Sequence, residues 1–446
     1  VTTPAALSLV EAFAPRPRDP AWLADARAAA FGAFTRLGLP TPRHEDWRFT
    51  NLAPLAGTHL VTPAGLAAPV PGAEALLARA APASGVRLVF ENGLFREDLS
   101  RRDGLPPGAI VCTLAEAIRD LPDLVRPHLG RLARPEAHAF VAANAALSAD
   151  GVLVWVPAGA ALAGPVDLVF LTGAARGAVH AHPRVLVVAG AGARAAVAEH
   201  HLGPDDVPYL SNAVTELVLG EGAEVDHYRL EDEGARAFHV SVLAAEQAAG
   251  ARLGAHALEL GGAIARTEAR ARLAGEHAGV ELGGLLMGAG TQLLDAFSWV
   301  EHAVPNGTTT ESYKGILDGR ARGVFSGRIR VLPGAQKTEA RQLNSNLLLS
   351  DDAVVDAKPQ LEIFADDVKC GHGGTVGQLD PDSLFYLRSR GLGEAEARSV
   401  LVWAFAAEVV ERIRPAPLRA RARRLVASRL PAGVVAPGVD GAREAA

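Results

Sequence analysis

The segment Asp366–Asp380, DDVKCGHGGTVGQLD, places a cysteine and a histidine two residues apart, as Cys370 and His372. In an extended strand that spacing sends both side chains off the same face. Thiolate and imidazole are good ligands for soft or borderline metals, iron in sulfur clusters and zinc among them. Two donors do not complete a metal site, so further ligands must come from elsewhere in the fold or from a partner chain. Gly371, Gly373 and Gly374 let another backbone approach closely, which suits an interface as much as a ligand site. The competing reading is a buried cysteine beside a hydrogen-bonded histidine with no ligand role.

Other chemistry finds little support. No G-x-x-x-x-G-K-[ST] loop occurs; the one Lys-Thr pair, Lys337-Thr338, follows Gln336. Gly190-Ala-Gly192 and Gly371-His-Gly373 lack the third glycine of a dinucleotide loop, and neither H-E-x-x-H nor G-x-S-x-G is present. The pairs Glu199-His200, Glu276-His277 and Glu301-His302 read as solvated turn residues. Asp351/Asp352 and Asp366/Asp367 are sequence neighbours, which in a strand point to opposite faces and cannot act as an acid/base pair. An enzyme is therefore not expected; a stand-alone solenoid enzyme acting on a sugar or other small molecule is the alternative. Cys112, in Ile110-Val111-Cys112, reads as a buried hydrophobe.

These residues must be held by a large, ordinary core. The 446 residues are 49% hydrophobic and 21% charged, which excludes a disordered chain. Aromatics are only 5%, so small aliphatic side chains must fill the interior. With 44 basic against 50 acidic residues and no large basic block, a nucleic-acid partner is not suggested. Two cysteines make neither a disulfide framework nor a Cys-only zinc site and fit a reducing cytosol. Val1–Arg16 lacks the pattern of a secretory signal, and the charge-poor run Phe49–Ala73 is broken by four prolines, so no membrane span is expected. A soluble, cytoplasmic protein is expected.

Three regions follow from pattern. Residues 1–135 read as mixed and mainly helical, with a helix over Ala21–Leu37, a short strand over Val86–Phe90 and a helix start at Thr113 with Glu116 three residues on. Residues 136–380 repeat short β-rich runs that end in small turns at Gly192, Gly222, Gly250, Gly275, Gly290, Gly319, Gly334, Asp351 and Asp366. Most of the intervals are about fifteen residues or twice that, and apolar residues alternate before the turns, as at Ile329/Val331 and Leu361/Ile363. Stacked rungs of a β-solenoid need that combination, and hairpin meanders fit it less well. Residues 381–446 turn helical: Pro381 opens one stretch, Glu394–Arg414 carries the stripe Val402/Phe405/Val409/Ile413, and Leu418–Leu430 is basic. The tail from Ala432 reads as loose.

From His302 to Asp380 the chain resembles the SufB/SufD family of iron–sulfur cluster assembly subunits. The matching pieces are Tyr313-Lys314-Gly315, Leu317-x-Gly319-x-Ala321-Arg322, Ala335-Gln336-Lys337-Thr338 and Gln342-x-Asn344-x-Asn346-Leu347-Leu348-Leu349-Ser350. They continue with Pro359-x-Leu361-Glu362-Ile363, Ala365–Cys370, His372-Gly373, Thr375-Val376-Gly377 and Leu384–Gly391. Upstream, Pro42-Arg43-x-Glu45-Asp46-Trp47-Arg48 is similar to the family's N-terminal signature. Leu387 stands where SufB-like chains carry cysteine, and those chains lack the D-V-K-C-x-H-G run, so the likeness is to the SufD branch. Gly371 and Gly374 depart from the Ser and Ala more usual there.

The resemblance implies a right-handed parallel β-helix flanked by helical regions, and a non-ATPase scaffold that pairs with a SufB-like chain and docks a SufC-like ATPase. It implies a transient iron–sulfur cluster at the partner interface, and it admits a flavin in the complex and a homodimer when the chain is alone. His372 is then the first candidate ligand and Cys370 the second. The last rungs, about 335–380, are expected to meet the SufB-like partner, and the C-terminal helix to face the ATPase. Removal of 394–446 is expected to abolish ATPase binding and leave the β-helix folded. Asn344, Asn346 and Trp47 read as ladder and packing residues, and Gln336, Lys337 and Thr338 as a rung turn.

Overall fold

A computed structural model describes residues 3–62, 69–82 and 85–430. The tail from Ala432 lies outside the described residues.

Period-two alternation dictates the architecture. Strands at Gly151–Val156, Arg184–Ala189, Tyr209–Leu219, Ala237–Gln247, Ile264–Leu273, Leu293–His302, Arg322–Val331 and Val354–Ile363 pair in that order into one sheet. Val166–Leu171, Arg194–Leu202, Glu224–Asp232, Arg252–Glu259, Gly279–Gly288, Thr308–Leu317, Glu339–Leu348 and Lys369–Gly377 pair into the other. The chain crosses between sheets at each turn, and every pairing among these strands is parallel, as with Tyr209 beside Ala237 and Arg322 beside Val354. The result is a solenoid of about eight turns, not a meander. The fifteen-residue interval is a half turn and its double a full one.

Parallel registration stacks like on like. Leu217, Ala245, Ala271, Val300, Ile329 and Leu361 form one lumenal column, each beside the next. Small aliphatics suffice because each rung is closed by the two sheets themselves; each fully buried Val or Leu contributes about 1.5–3 kcal/mol. At the corners Gly192, Gly222, Gly250, Gly290 and Gly319 have φ of 62–67°, the left-handed region that glycine enters without strain. At the turns after Gly275 and Gly334 the left-handed residues are instead His277 and Lys337.

Sheet structure also begins earlier than the β-rich pattern. Arg87–Glu91 pairs parallel with Val166–Leu171, and Ile110–Thr113 pairs antiparallel with Gly151–Val156, so residues below 135 start both sheets. The helix Leu114–Asp120 then opens with a capping box between Thr113 and Glu116. The helix Ala21–Leu37 has the expected bounds. With Trp47 and Phe140 it covers the outer face of the first sheet at Leu210, Phe238, Val240 and Ile264. The helices Glu394–Val410 and Ala416–Ala427 cover the second sheet: Val402, Val409 and Ile413 are buried against Tyr228, Leu258, Met287 and Ile316, and Phe405 is half-buried beside them. Asp380 caps the helix Pro381–Ser389 through the Ser383 N–H at 3.1 Å.

Candidate site at the final rung

The last strand, Lys369–Gly377, has a neighbour on one side only. Cys370 pairs with Ala340 and His372 with Gln342, both buried, so the two candidate donors share the lumenal side, as the spacing requires. They are not equally placed. Cys370 is half-buried and packs on the apolar lumen, and burial raises its thiol pKa, favouring the uncharged thiol. His372 is exposed and makes no hydrogen bond among the described residues, so it is not a satisfied core histidine. No cluster of three or more His, Cys, Asp or Glu suited to a metal ion occurs among the described residues. Cys370 and His372 thus stand on one strand face at an open edge.

That edge is apolar. Val354, Ile363 and Phe364 on one sheet and Leu343 and Val376 on the other are exposed, Val376 by 55%. Unpaired backbone groups beside exposed apolar side chains make a template for another chain.

The histidine–glutamate pairs need correction. Glu276 and His277 do lie in an exposed turn. Glu199 and His200, however, are buried in a strand, and His302 is buried at a strand end. Strand neighbours face opposite sides, so Glu199 enters the lumen while His200 faces outward toward Asp167, 3.7 Å away. Asp351/Asp352 and Asp366/Asp367 lie in rung turns rather than strands, so the opposite-face reasoning does not apply to them.

Sequence reasoning missed this polar lumen altogether. Glu199 accepts from Thr215 at 2.6 Å and Arg229 at 3.0 Å and lies 2.8 Å from His227 Nε2. Burial alone would push its carboxyl up, but Arg229 and His227 hold it well below the usual range. Farther along, burial pushes Glu231, Glu233 and Glu311 up to about 7. It pushes His201 and His239 down to about 4. Toward the final rung, Glu311 accepts from Ser298 Oγ at 2.8 Å and from Gln342 Nε2 at 2.7 Å. The available signal was period two: Glu199, His201, His227, Arg229 and Glu231 all occupy lumenal strand positions, and Glu233 continues the alternation just past the strand end.

The flanking regions are locked on by charge. Lys314 Nζ meets Glu408 Oε2 at 2.6 Å and donates to the Phe405 carbonyl at 3.1 Å. Asp232 receives Arg79 at 2.8 Å, Arg421 at 2.8 Å and Arg429 at 2.6 Å, joining N-terminal helix, solenoid and C-terminal helix. Trp47 is buried, its ring 4.1 Å from the Arg266 guanidinium and 5.5 Å from Phe140, which makes it a packing anchor. Arg266 in turn bonds Glu268 at 2.9 Å and Asp295. On one strand buried Asn346 donates through Nδ2 to buried Asn344 Oδ1 at 2.6 Å, and Cys112, half-buried rather than buried, packs on an apolar cluster, its thiol pushed up to about 11 by burial.

Fold and site together define a parallel β-solenoid with helices on the outer face of each sheet and an open final rung that carries Cys370 and His372. Residues 170–405 match the family described as SUF system FeS cluster assembly, SufBD core domain, and residues 16–168 match the SufBD protein N-terminal region. The iron–sulfur cluster assembly protein SufD of Escherichia coli is 33% identical over 89% of this chain and 91% of its own length. A SufBD family protein of Synechocystis is 36% identical over 91% of each chain, and one of Mycobacterium tuberculosis is 29% identical over 86% of this chain and 87% of its own. The chain belongs to the SufBD family of iron–sulfur cluster assembly proteins. No helix among the described residues is long and apolar enough to cross a membrane.

Proposed function

We propose that this chain is the SufD-type, non-ATPase scaffold of a cytoplasmic iron–sulfur cluster assembly complex, acting without catalysis of its own. It pairs with a SufB-like subunit through the final rung and docks a SufC-like ATPase on its C-terminal helices. The carrying observation is His372, exposed and with no side-chain hydrogen bond among the described residues, at an edge that ends both sheets. A neutral imidazole there contributes one ligand to a nascent cluster, with the cysteine and carboxylate ligands supplied mainly by the partner. Cys370 ranks second, because its burial favours the thiol.

The ATPase face is proposed at the helix Pro381–Ser389, where Phe385 is 74% and Tyr386 56% exposed. Aromatics that open to solvent are more typical of interface cores than of free surface. Co-expression with SufB-like and SufC-like chains tests the whole reading. A ternary complex bearing iron and sulfide supports it; a chain that purifies alone and turns over a small molecule supports the alternative of a solenoid enzyme.

A further inference from the structure

Gln342 is fully buried, yet half of its amide is unused. Its Nε2 donates to Glu311 Oε2 at 2.7 Å, one rung inward, while its Oε1 has no hydrogen-bond partner. An orphaned buried acceptor costs about 1–3 kcal/mol unless a donor reaches it. The site is shaped for this amide. Opposite stands Gly327, and a Cβ there would come within 2.3 Å of Gln342 Nε2. With Nε2 bonded to Glu311 on the inner rung, the open side of this amide is the next rung out. There the register sets Pro359 beside Gly327 on one wall and Cys370, His372 and Gly374 beside Ala340, Gln342 and Asn344 on the other. Proline and glycine bring no side-chain donor, and Cys370 packs on the apolar lumen. Among these described lumenal neighbours His372 alone carries a side-chain N–H, one strand spacing of about 4.8 Å from Gln342.

We propose that Gln342 is the positioning residue for His372: Oε1 accepts one imidazole N–H and fixes a single neutral tautomer whose other nitrogen directs its lone pair outward. In the structure the imidazole is exposed and unbonded to Gln342, so the proposed bond requires it to rotate about its side-chain bonds toward Oε1. A histidine that binds metal generally donates its second N–H to such an acceptor, which sets ring orientation and basicity. The purpose of the tautomer rests on His372 being a cluster ligand, whereas the hydrogen bond stands independently of that reading.

The test is nitrogen-15 NMR of the imidazoles in the full chain at pH 8, with His372→Ala assigning the His372 signals. The parent is expected to show one neutral tautomer, and Gln342→Met, which keeps the volume and removes the acceptor together with the Nε2 donation to Glu311, a mixture of both. Glu311→Gln, which leaves Gln342 Oε1 in place and changes only its inner-rung partner, is expected to keep the single tautomer. In the ternary complex, Gln342→Met is expected to lower cluster affinity about 10–100-fold with the heterodimer intact. A mixed tautomer in the parent, or an unmoved one in Gln342→Met, overturns the positioning role. Undiminished cluster content in His372→Ala overturns only the ligand reading, because the tautomer is read without a cluster.

Discussion

Lys314 on the solenoid and Phe405 on the C-terminal helix meet twice: the Lys314 ammonium donates to the Phe405 carbonyl at 3.1 Å and lies 4.2 Å from the centre of its ring. Glu408, mostly exposed, adds an ion pair that solvent screens. Lys314→Met is expected to keep the packing of the stem and lose about 1–2 kcal/mol of helix docking. Hydrogen exchange over 394–427 faster than in the parent, with the solenoid strands unchanged, is the readout; unchanged exchange would leave the docking to the apolar contacts and the Asp232 ion pairs.

Those apolar contacts also revise the expectation for a truncation. Tyr228, Leu258, Leu285, Met287 and Ile316 are buried under the C-terminal helices, so removing 394–446 exposes a continuous apolar strip on the second sheet. The truncated chain is expected to aggregate rather than remain a folded β-helix. Phe385→Ser with Tyr386→Ser is the cleaner probe, expected to weaken ATPase binding at least tenfold with melting unchanged. Full ATPase binding by that variant would move the docking face elsewhere.

Arg266 is fully buried between Glu268, Asp295 and the Trp47 ring. Arg266→Met leaves buried Asp295 without a cation, with Thr50 as its remaining partner, while Glu268 keeps Arg270 at 2.8 Å. A loss of about 3–5 kcal/mol is expected in denaturant melts. A loss under 1 kcal/mol would mean that the N-terminal region contributes little to the solenoid's stability.

Glu311 gives the lumen a pH signature. Burial raises its folded pKa to about 7 from 4.5, so the folded state holds the proton more tightly. The resulting stabilisation is fully present below pH 4.5 and is lost as pH rises through 7. Glu311→Gln keeps a carbonyl to accept from Ser298 and Gln342 and does not ionise. It is expected to melt like the parent near pH 5 and to be more stable at pH 8, by roughly 3 kcal/mol at most. Equal melting at both pH values would show Glu311 ionised at little cost. His201 and His239, lowered to about 4 by burial, act in the opposite sense: their contribution is present above pH 6.5 and lost as pH falls through 4.

What was legible in the sequence follows from which interactions are local. Alternation such as Ile329/Val331, closed by a turn and repeated, is a near-neighbour signal and disclosed the solenoid; so did the helical stripe of Val402 and Val409. The lumen was illegible because its partners lie a full turn apart: Glu199 meets Arg229 and Gln342 meets Glu311 only once the register exists. Reading Glu199 with adjacent His200 paired two residues that face opposite sides of a strand. Ile110–Thr113 was missed as a strand because its partner, Gly151–Val156, lies beyond a helix. Cys370 and His372 were found because their relationship, two residues on one strand face, is itself local.

The edge makes its own demand on the partner. Val376 and Ile363 are exposed on the two terminal strands, and a charge at either would be buried without a counter-ion by a chain stacking on the final rung. Val376→Asp and Ile363→Lys are expected to leave melting within about 0.5 kcal/mol and to raise the heterodimer Kd at least tenfold. An unchanged Kd in both variants would place the SufB-like subunit on another surface.

The most direct measurement is the iron and sulfide content of the ternary complex carrying His372→Ala, co-expressed with SufB-like and SufC-like chains. The expected result is a complex of unchanged stoichiometry with cluster content reduced several-fold. Parent-level iron and sulfide on an intact His372→Ala complex would contradict the assignment and make the histidine of the final rung a bystander.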